Sequence, residues 1–423
     1  MPIGNEYSID KCILSAEGKG SINLQESGMI SSLRFYEDLF HNTISGSISI
    51  MNDPFDLVGK YPIVSNETVT VTLTSEKDSS NYEIDFNVFS VANVDFTKPN
   101  SKTYSLELVS DEYLSNHKTI VSRSYKDKLI SEIVEDILLQ DLNTAGGEVW
   151  GLKKELIIEP TSGRHNIIIT KWNPFRAINL LSQRSISSVR PSTGYVFYES
   201  RSGFHFRSYE SLVSDSPAAI YTYSALGLTN DNPNKSLAVP QTQVDDSEKI
   251  TNIEVVKVPN VIENLHKGMY SNRIVSHDWI NQNYEVREYN YDEEFFFNSN
   301  LNNGKLGSHS GIGNENVIYE NYDSQPTEEL NGISTRMSRM QQLENFRINI
   351  SISGNIDRQI GDVIRIEIPS AEQRSTEKMT DEVFGGNYLV TGLKHSISDK
   401  HTTVMEMAKD TYGEIEESMT ALV

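Results

Sequence analysis

The sequence predicts a mainly β fold with an α+β insert, and three observations carry that reading. Apolar residues alternate with Ser, Thr and Asn near both ends, the spacing turns helical in the middle, and the two ends match in strand order and spacing. Alternation with small polar residues on the opposite face marks antiparallel strands with one buried face.

In the first stretch Ile44, Gly46, Ile48 and Ile50 share one face, opposite Ser45, Ser47 and Ser49. After a turn at Asn52-Asp53-Pro54, Val69, Val71 and Leu73 alternate with Thr68, Thr70, Thr72 and Thr74. Phe86 and Val88 lead on to Val94, and Tyr104, Leu106 and Leu108 close the series. Four or more such strands in close succession predict a sandwich or barrel.

The pattern switches at Ser124. Leu129, Ile130, Ile133, Val134, Ile137 and Leu138 recur with helical spacing, Ser124 with Asp127 resembles a capping arrangement, and Gly146-Gly147 lies past the expected end. Asn173-Pro174 predicts a second helix, with Asn as N-cap and Pro at the first helical position, burying Phe175, Ala177, Ile178, Leu180 and Leu181. A hairpin follows, from Tyr195-Val196-Phe197-Tyr198 through a turn to Gly203 and then Phe204-His205-Phe206.

Ser214 to Lys249 is polar and reads as a long loop. Strands resume at Ile250, Ile253 and Val255-Val256 and continue through Ile274 to Val286. Asn298 to Asn331 reads as a second loop, and loops of such length are usually functional or mobile. A helix with Met337, Met340, Leu343 and Phe346 on one stripe precedes the closing alternation of Ile348, Ile350 and Ile352, then Ile364, Ile366 and Ile368. Tyr388-Leu389-Val390 and Val404 to Met407 finish the strands. These patterns divide the chain into a β-module at 1–115, an α/β unit at 116–245, a second β-module at 246–290 with 335–412, an inserted loop at 291–334 and a tail at 413–423.

The two modules correspond strand by strand. Ser47-Ile48-Ser49-Ile50 matches Asn349-Ile350-Ser351-Ile352, and Val69 to Leu73 matches Ile364 to Ile368. Phe89-Ser90-Val91 matches Leu389-Val390-Thr391, and Tyr104 to Leu108 matches Thr403 to Met407. Any two sheets share alternation, but shared order and spacing read as duplication.

The totals exclude several classes. Acidic residues outnumber basic ones by 59 to 37 over 423 residues, a net charge of −22, which repels phosphate backbones and argues against tight nucleic-acid binding. The single Cys12 excludes an internal disulfide framework and a thiolate zinc cluster. Met1-Pro2-Ile3-Gly4-Asn5-Glu6 has neither basic start nor apolar run, so no signal peptide is expected, and no apolar run approaches membrane-helix length. The chain is therefore expected to be soluble and made in a cytosol.

Candidate chemical motifs are weak. Gly311-Ile312-Gly313 is followed by Asn314-Glu315-Asn316, which breaks the dinucleotide pattern. Gly307-Ser308-His309-Ser310-Gly311 has His where a hydrolase elbow needs its nucleophilic Ser. His395 and His401 flank an expected hairpin turn and read as neighbouring surface imidazoles. Asp292-Glu293-Glu294 and Asp381-Glu382 read as solvated faces, and Phe295-Phe296-Phe297 as either a doubly buried strand or an anchor for a partner. No catalytic, cofactor-binding or metal-binding residue is assigned, and no enzyme activity is expected.

Taken in order, several segments resemble the central baseplate hub protein of contractile-tailed bacteriophages. They are the opening strands through Asn52-Asp53-Pro54, Tyr104 to Ser110, Ile130 to Leu138, Asn173-Pro174-Phe175-Arg176-Ala177-Ile178, the hairpin Gly194 to Phe204, and the closing pair Tyr388 to Thr391 and Val404 to Met407. The resemblance implies two tail-tube-like antiparallel β-barrels per chain plus a smaller α/β domain, assembled as a homotrimer into a pseudo-six-fold ring. It further implies a role in the virion as a non-enzymatic adaptor between the six-fold tail tube protein and a three-fold central spike protein, among neighbouring baseplate or wedge proteins. DNA would meet the chain only in passage, no membrane insertion is implied, and no cofactor is expected. The chain ends soon after Met407, so the spike would be a separate protein. Two other readings remain open: a tail-tip receptor- or carbohydrate-binding protein, and a tail-associated peptidoglycan hydrolase.

Overall fold

A computed structural model describes residues 7–412 except 17, 19, 52, 54–55, 61–62, 64–66, 76–80, 99–100, 143–153, 190–192, 224–248, 279–281, 295–298, 303–312, 321–326, 370–380 and 382. Strands dominate. The first module comprises β1 (Tyr7–Ala16), β2 (Ile30–Asp38), β3 (Ser45–Ile50), β4 (Thr68–Ser75), β5 (Asn81–Lys98) and β6 (Ser101–Val109), hydrogen-bonded in the order β1-β4-β5-β6-β3-β2. Each buries the face its alternation marks: Ile48, Val69, Val71, Leu73 and Leu106 are fully enclosed.

The α/β insert contains β7 (Val121–Lys128), helix α1 (Ile130–Asp136), β8 (Glu155–Ile158), β9 (His165–Trp172), helix α2 (Pro174–Arg184), β10 (Tyr195–Ser200) and β11 (Gly203–Ser208). Its core joins Ile130, Ile133, Ile137 and Leu138 to Phe175, Ile178, Phe197 and Phe206. The expected cap at Ser124 is corrected: Ser124 lies in β7, paired with Ile168, and the helix starts after Leu129. There the Glu132 carboxylate accepts the Leu129 N–H at 3.2 Å, holding a donor that the first turn leaves unpaired. Asn173 does precede Pro174, but its side chain donates to the carbonyls of Asn116 and Thr119, and Asn116 Oδ1 takes the Phe175 N–H at 2.9 Å. The cap is thus supplied from 59 positions away. At the hairpin turn Gly203 has φ +138°, and a Cβ there would fall 2.2 Å from the Glu155 carbonyl oxygen, so only glycine lets β8 pair in parallel with β11.

The second module comprises β12 (Ala219–Tyr223), β13 (Lys249–Lys257) and, after a long excursion, β17 (Phe346–Ser353), β18 (Val363–Glu367), β19 (Gly386–Ile397) and β20 (His401–Lys409). Its order is β12-β18-β19-β20-β17-β13, and parallel pairing of β12 with both β18 and β13 closes it into a six-stranded barrel. β12 corrects the reading of Ser214 to Lys249 as loop throughout: five residues between polar flanks are too few to show a period. Residues 224–248 of that stretch lie outside the described residues.

The excursion holds a separate three-stranded sheet of β14 (Ser271–Asp278), β15 (Asn283–Asn290) and β16 (Asn314–Glu320), then helix α3 (Thr327–Leu343). Two expectations change here. Ile274 to Val286 does form strands, but they pair with each other and with β16, not with the barrel. The Asn298 to Asn331 stretch contains β16 and the start of α3; its Asn-rich run has low strand propensity, and parallel pairing to β14 overrides it. The Gly307 to Gly311 motif, Ile312 and Phe295-Phe296-Phe297 lie outside the described residues, as do Gly146-Gly147, Glu382 and residues 413–423.

Helix α3 departs most from its apolar stripe. Met337 and Met340 are only partly buried, whereas Ser334, Ser338, Arg339, Gln341 and Gln342 are enclosed. Phe346 belongs to β17 rather than to the helix. Ser338 donates to the Met269 carbonyl at 2.6 Å, and Gln342 donates to Ser338. Arg339 meets Glu210 at 2.8 Å and Asp410 at 3.7 Å, with its guanidinium over the Tyr209 ring. Buried polar groups are tolerable when paired, and Ser338, Arg339 and Gln342 are linked to one another by hydrogen bonds.

Because Arg339 neutralises two buried carboxylates, Arg339→Met should cost about 3–5 kcal/mol of unfolding free energy in denaturant titration. The triple variant Arg339→Met/Glu210→Gln/Asp410→Asn should recover a large part of that loss.

Candidate functional site at the junction of the modules

The two modules are not merely similar; they share register. Ile48 faces Leu106 and Ser47 faces Glu107, as Ile350 faces Met405 and Asn349 faces Glu406. Val69 faces Phe86 as Ile364 faces Tyr388. A register shift interrupts β5 between Val88 and Ser90, and another interrupts β19 between Val390 and Gly392, with Val88 opposite Leu108 and Val390 opposite Met407. These shifts correct one sequence match: Ser90 corresponds to Gly392, two residues beyond the Val390 expected. A slip of two keeps every side chain on its face, so alternation alone could not detect it.

One seam joins the modules. The first half of β19 pairs with β18 inside the barrel, and the second half, Gly392 to Ile397, pairs antiparallel with Asp38 to Leu33 of β2. The sheet therefore runs unbroken from one module into the other. Under this seam lie His395 and His401, which the structure buries rather than exposing as surface imidazoles. His395 stacks on Phe35 at 4.4 Å, and its Nδ1 lies 3.3 Å from His401 Nε2 and 3.1 Å from Thr403 Oγ1. Gly354 makes the room: a Cβ there would fall 2.0 Å from the His401 ring. Burial lowers both imidazoles, His401 to about 4.

The insert grips both modules through the turn of its hairpin. Glu199 accepts from the Ile44 N–H at 3.0 Å and the Ser110 hydroxyl at 2.5 Å, on the first module. Arg201 donates to the Ile356 carbonyl at 3.0 Å and to Asp357 at 3.1 Å, on the second, and lies over the Tyr82 ring of the first. Lys154 bridges Glu199 and Glu112. Beside this cluster is a cavity of about 250 Å³ lined by Tyr82, Ser110, Glu112, Lys154, Glu199 and Arg201.

Glu37, from β2, completes the junction. It is enclosed near Glu199, Asp362 and Arg201, and burial pushes its carboxyl up to about 8. No sequence signal marks Glu37 or Glu199; each occupies an ordinary strand position, and only the meeting of three units buries them.

Chemically the cluster is a tie. The Glu199 carboxylate is taken up by a lysine, a hydroxyl and a backbone N–H. Of the acidic runs, Glu293 is exposed and accepts from Asn290, and Asp381 accepts the N–H groups of Val383 and Phe384. Among the described residues no group of three or more His, Cys, Asp or Glu could hold a metal ion. No helix among them is long and apolar enough to cross a membrane.

No protein-family model matches the sequence, and no curated protein matches it significantly. Solved structures do match. The tail protein from Neisseria meningitidis MC58 superposes with a TM-score of 0.55 at 11% identity, over 96% of this chain and 97% of that one. The 43 kDa tail protein of prophage MuSo2 from Shewanella oneidensis gives 0.55 at 9% identity, over 95% and 98%. The chain has the fold of these tail proteins along nearly its whole length.

The buried acid and imidazoles predict opposite pH dependences. Glu37 binds its proton more tightly folded than unfolded, so its contribution is complete below about 4.5 and is lost as pH rises towards about 8. His401 binds its proton less tightly folded, so its contribution is complete above about 6.5 and is lost as pH falls towards about 4. Melting temperatures across this range should show Glu37→Gln gaining on the parent as pH rises.

Proposed function

We propose that this chain is the structural hub of a phage baseplate, a homotrimeric adaptor that joins a six-fold tail tube to a three-fold central spike and forms part of the DNA channel. The observation that carries the reading is the pair of modules with one strand order and one register, held in fixed relation by a continuous sheet. Three chains built this way present six nearly equivalent modules, an arrangement that offers three-fold and pseudo-six-fold faces together. Full-length likeness in fold to two tail proteins supports the same setting.

On this reading the chain acts by geometry. The two modules form tail-tube-like barrels facing the tube protein, and the spike and neighbouring baseplate or wedge proteins meet the ring. The protein resides in the virion after synthesis in the host cytoplasm. A net charge of −22 suits a lumen that DNA crosses without sticking.

Purified protein should run as a trimer by light scattering, and negative-stain images should show rings of six similar lobes with three-fold symmetry. A monomer that binds glycans, or one that clears bacterial cell wall in a zymogram, would replace the hub with one of the other two readings.

A further inference from the structure

The repeat makes a specific demand on two strand edges. In the seam, the outer half of β19 covers β2. The strand equivalent to β19 is β5, which shares its register shift against the following strand. The strand equivalent to β2 is β13: Leu33 and Arg34 face Ile48 and Ser47 as Ile253 and Glu254 face Ile350 and Asn349. Among the described residues no strand pairs with the outer edge of β5 beyond Ser90, or with the edge of β13 beyond Ile250. Each module therefore has one half of a second seam, and the halves lie on different modules.

We propose that the outer edge of β5 pairs antiparallel with the edge of β13 in a second copy of this chain, repeating between chains the β19–β2 seam made within one. The inference rests on the trimer reading above and specifies its contact.

Burial supports the match. Leu33, Phe35 and Ile397, which the seam covers, are 1%, 2% and 1% exposed. Two of the three counterparts are open: Val255, equivalent to Phe35, is 44% exposed, and Phe96, equivalent to Ile397, is 70% exposed, while Ile253, equivalent to Leu33, is half-buried against the barrel core. Val94 and Val256 add exposed apolar surface to the same two edges. At those two positions the apolar side chain is buried where a partner strand is present and exposed where none pairs among the described residues.

The register follows from the seam. Ser396 faces Arg34 there. Asp95 pairs with Thr103 as Ser396 pairs with Thr402, so Asp95 should face Glu254 of the second copy. That places like charges opposite one another, which weakens pairing. Asn93, with φ +54°, adds a bulge that β19 lacks. Inward charge and bulges are devices by which open edges avoid indiscriminate pairing, so the contact is specific rather than sticky. Such an interface is heterologous, and it closes into a ring when the rotation between copies divides a full turn.

The test uses the full chain and its single, buried Cys12, which leaves little background for cross-linking. Mild oxidation of Asp95→Cys/Glu254→Cys should give disulfide-linked bands that stop at the trimer, because directly opposed strand residues have Cβ atoms about 5 Å apart. Glu254→Arg, which removes the like-charge contact, should keep the trimer together at lower protein concentration than the parent. Val255→Lys should lose the trimer while keeping the parent melting temperature of the single chain, since that side chain is exposed within it. A trimer by light scattering that neither cross-links nor responds to Val255→Lys overturns the edge pairing and leaves the trimer standing. A chain that is monomeric at every concentration overturns both.

Discussion

Everything in this molecule hangs on one strand doing two jobs. β19 is long enough to close the second barrel with its first half and to hold β2 with its second. Backbone hydrogen bonds fix direction and register as well as contact, so the seam sets the angle between modules rather than merely attaching them. A packed interface of side chains alone would leave that angle free to drift, since domain contacts within a chain resemble transient ones unless they are large and apolar. The hydrophobic cores reinforce the seam: Ile356 and Ile397 of the second module pack into the core of the first, and Leu39 of the first packs into that of the second.

The α/β insert then acts as a brace. Its hairpin turn reaches one module through Glu199 and the other through Arg201, two residues apart on one rigid β-turn. Buried charge is a poor way to gain stability but a selective one, because any misplacement leaves an ion without its partner. The same logic holds where Arg339 ties α3 to Glu210 of the insert and to Asp410 just past β20. Ionic ties thus hold the insert to the rest of the chain.

Much of this was legible in the sequence, for a physical reason. Alternation is local, and strands such as Ser45–Ile50 and Phe346–Ser353 carry it in full, so the strands and the duplication could be read directly. What escaped reading depends on partners remote in sequence. The cap of α2 comes from Asn116, and the buried polar face of α3 is meaningful only beside Met269, Glu210 and Asp410. β12 and β16 are short or polar and become strands because neighbours offer them parallel ladders. His395 and His401 looked like surface residues because nothing near them announces that β2 will lie across them.

The placement of the excursion also orders events in time. Every strand of the first module lies between Tyr7 and Val109, so its ladder is complete once about a quarter of the chain has been made. The barrel of the second module is begun by Ala219–Tyr223 and cannot shut until His401–Lys409 arrives. Contacts between distant segments form slowly, because a long loop must first be gathered in. The first module can therefore stand as a finished template on which the late strand β19 finds its register, and the nascent chain is most vulnerable to wrong pairing in the interval between the two closures.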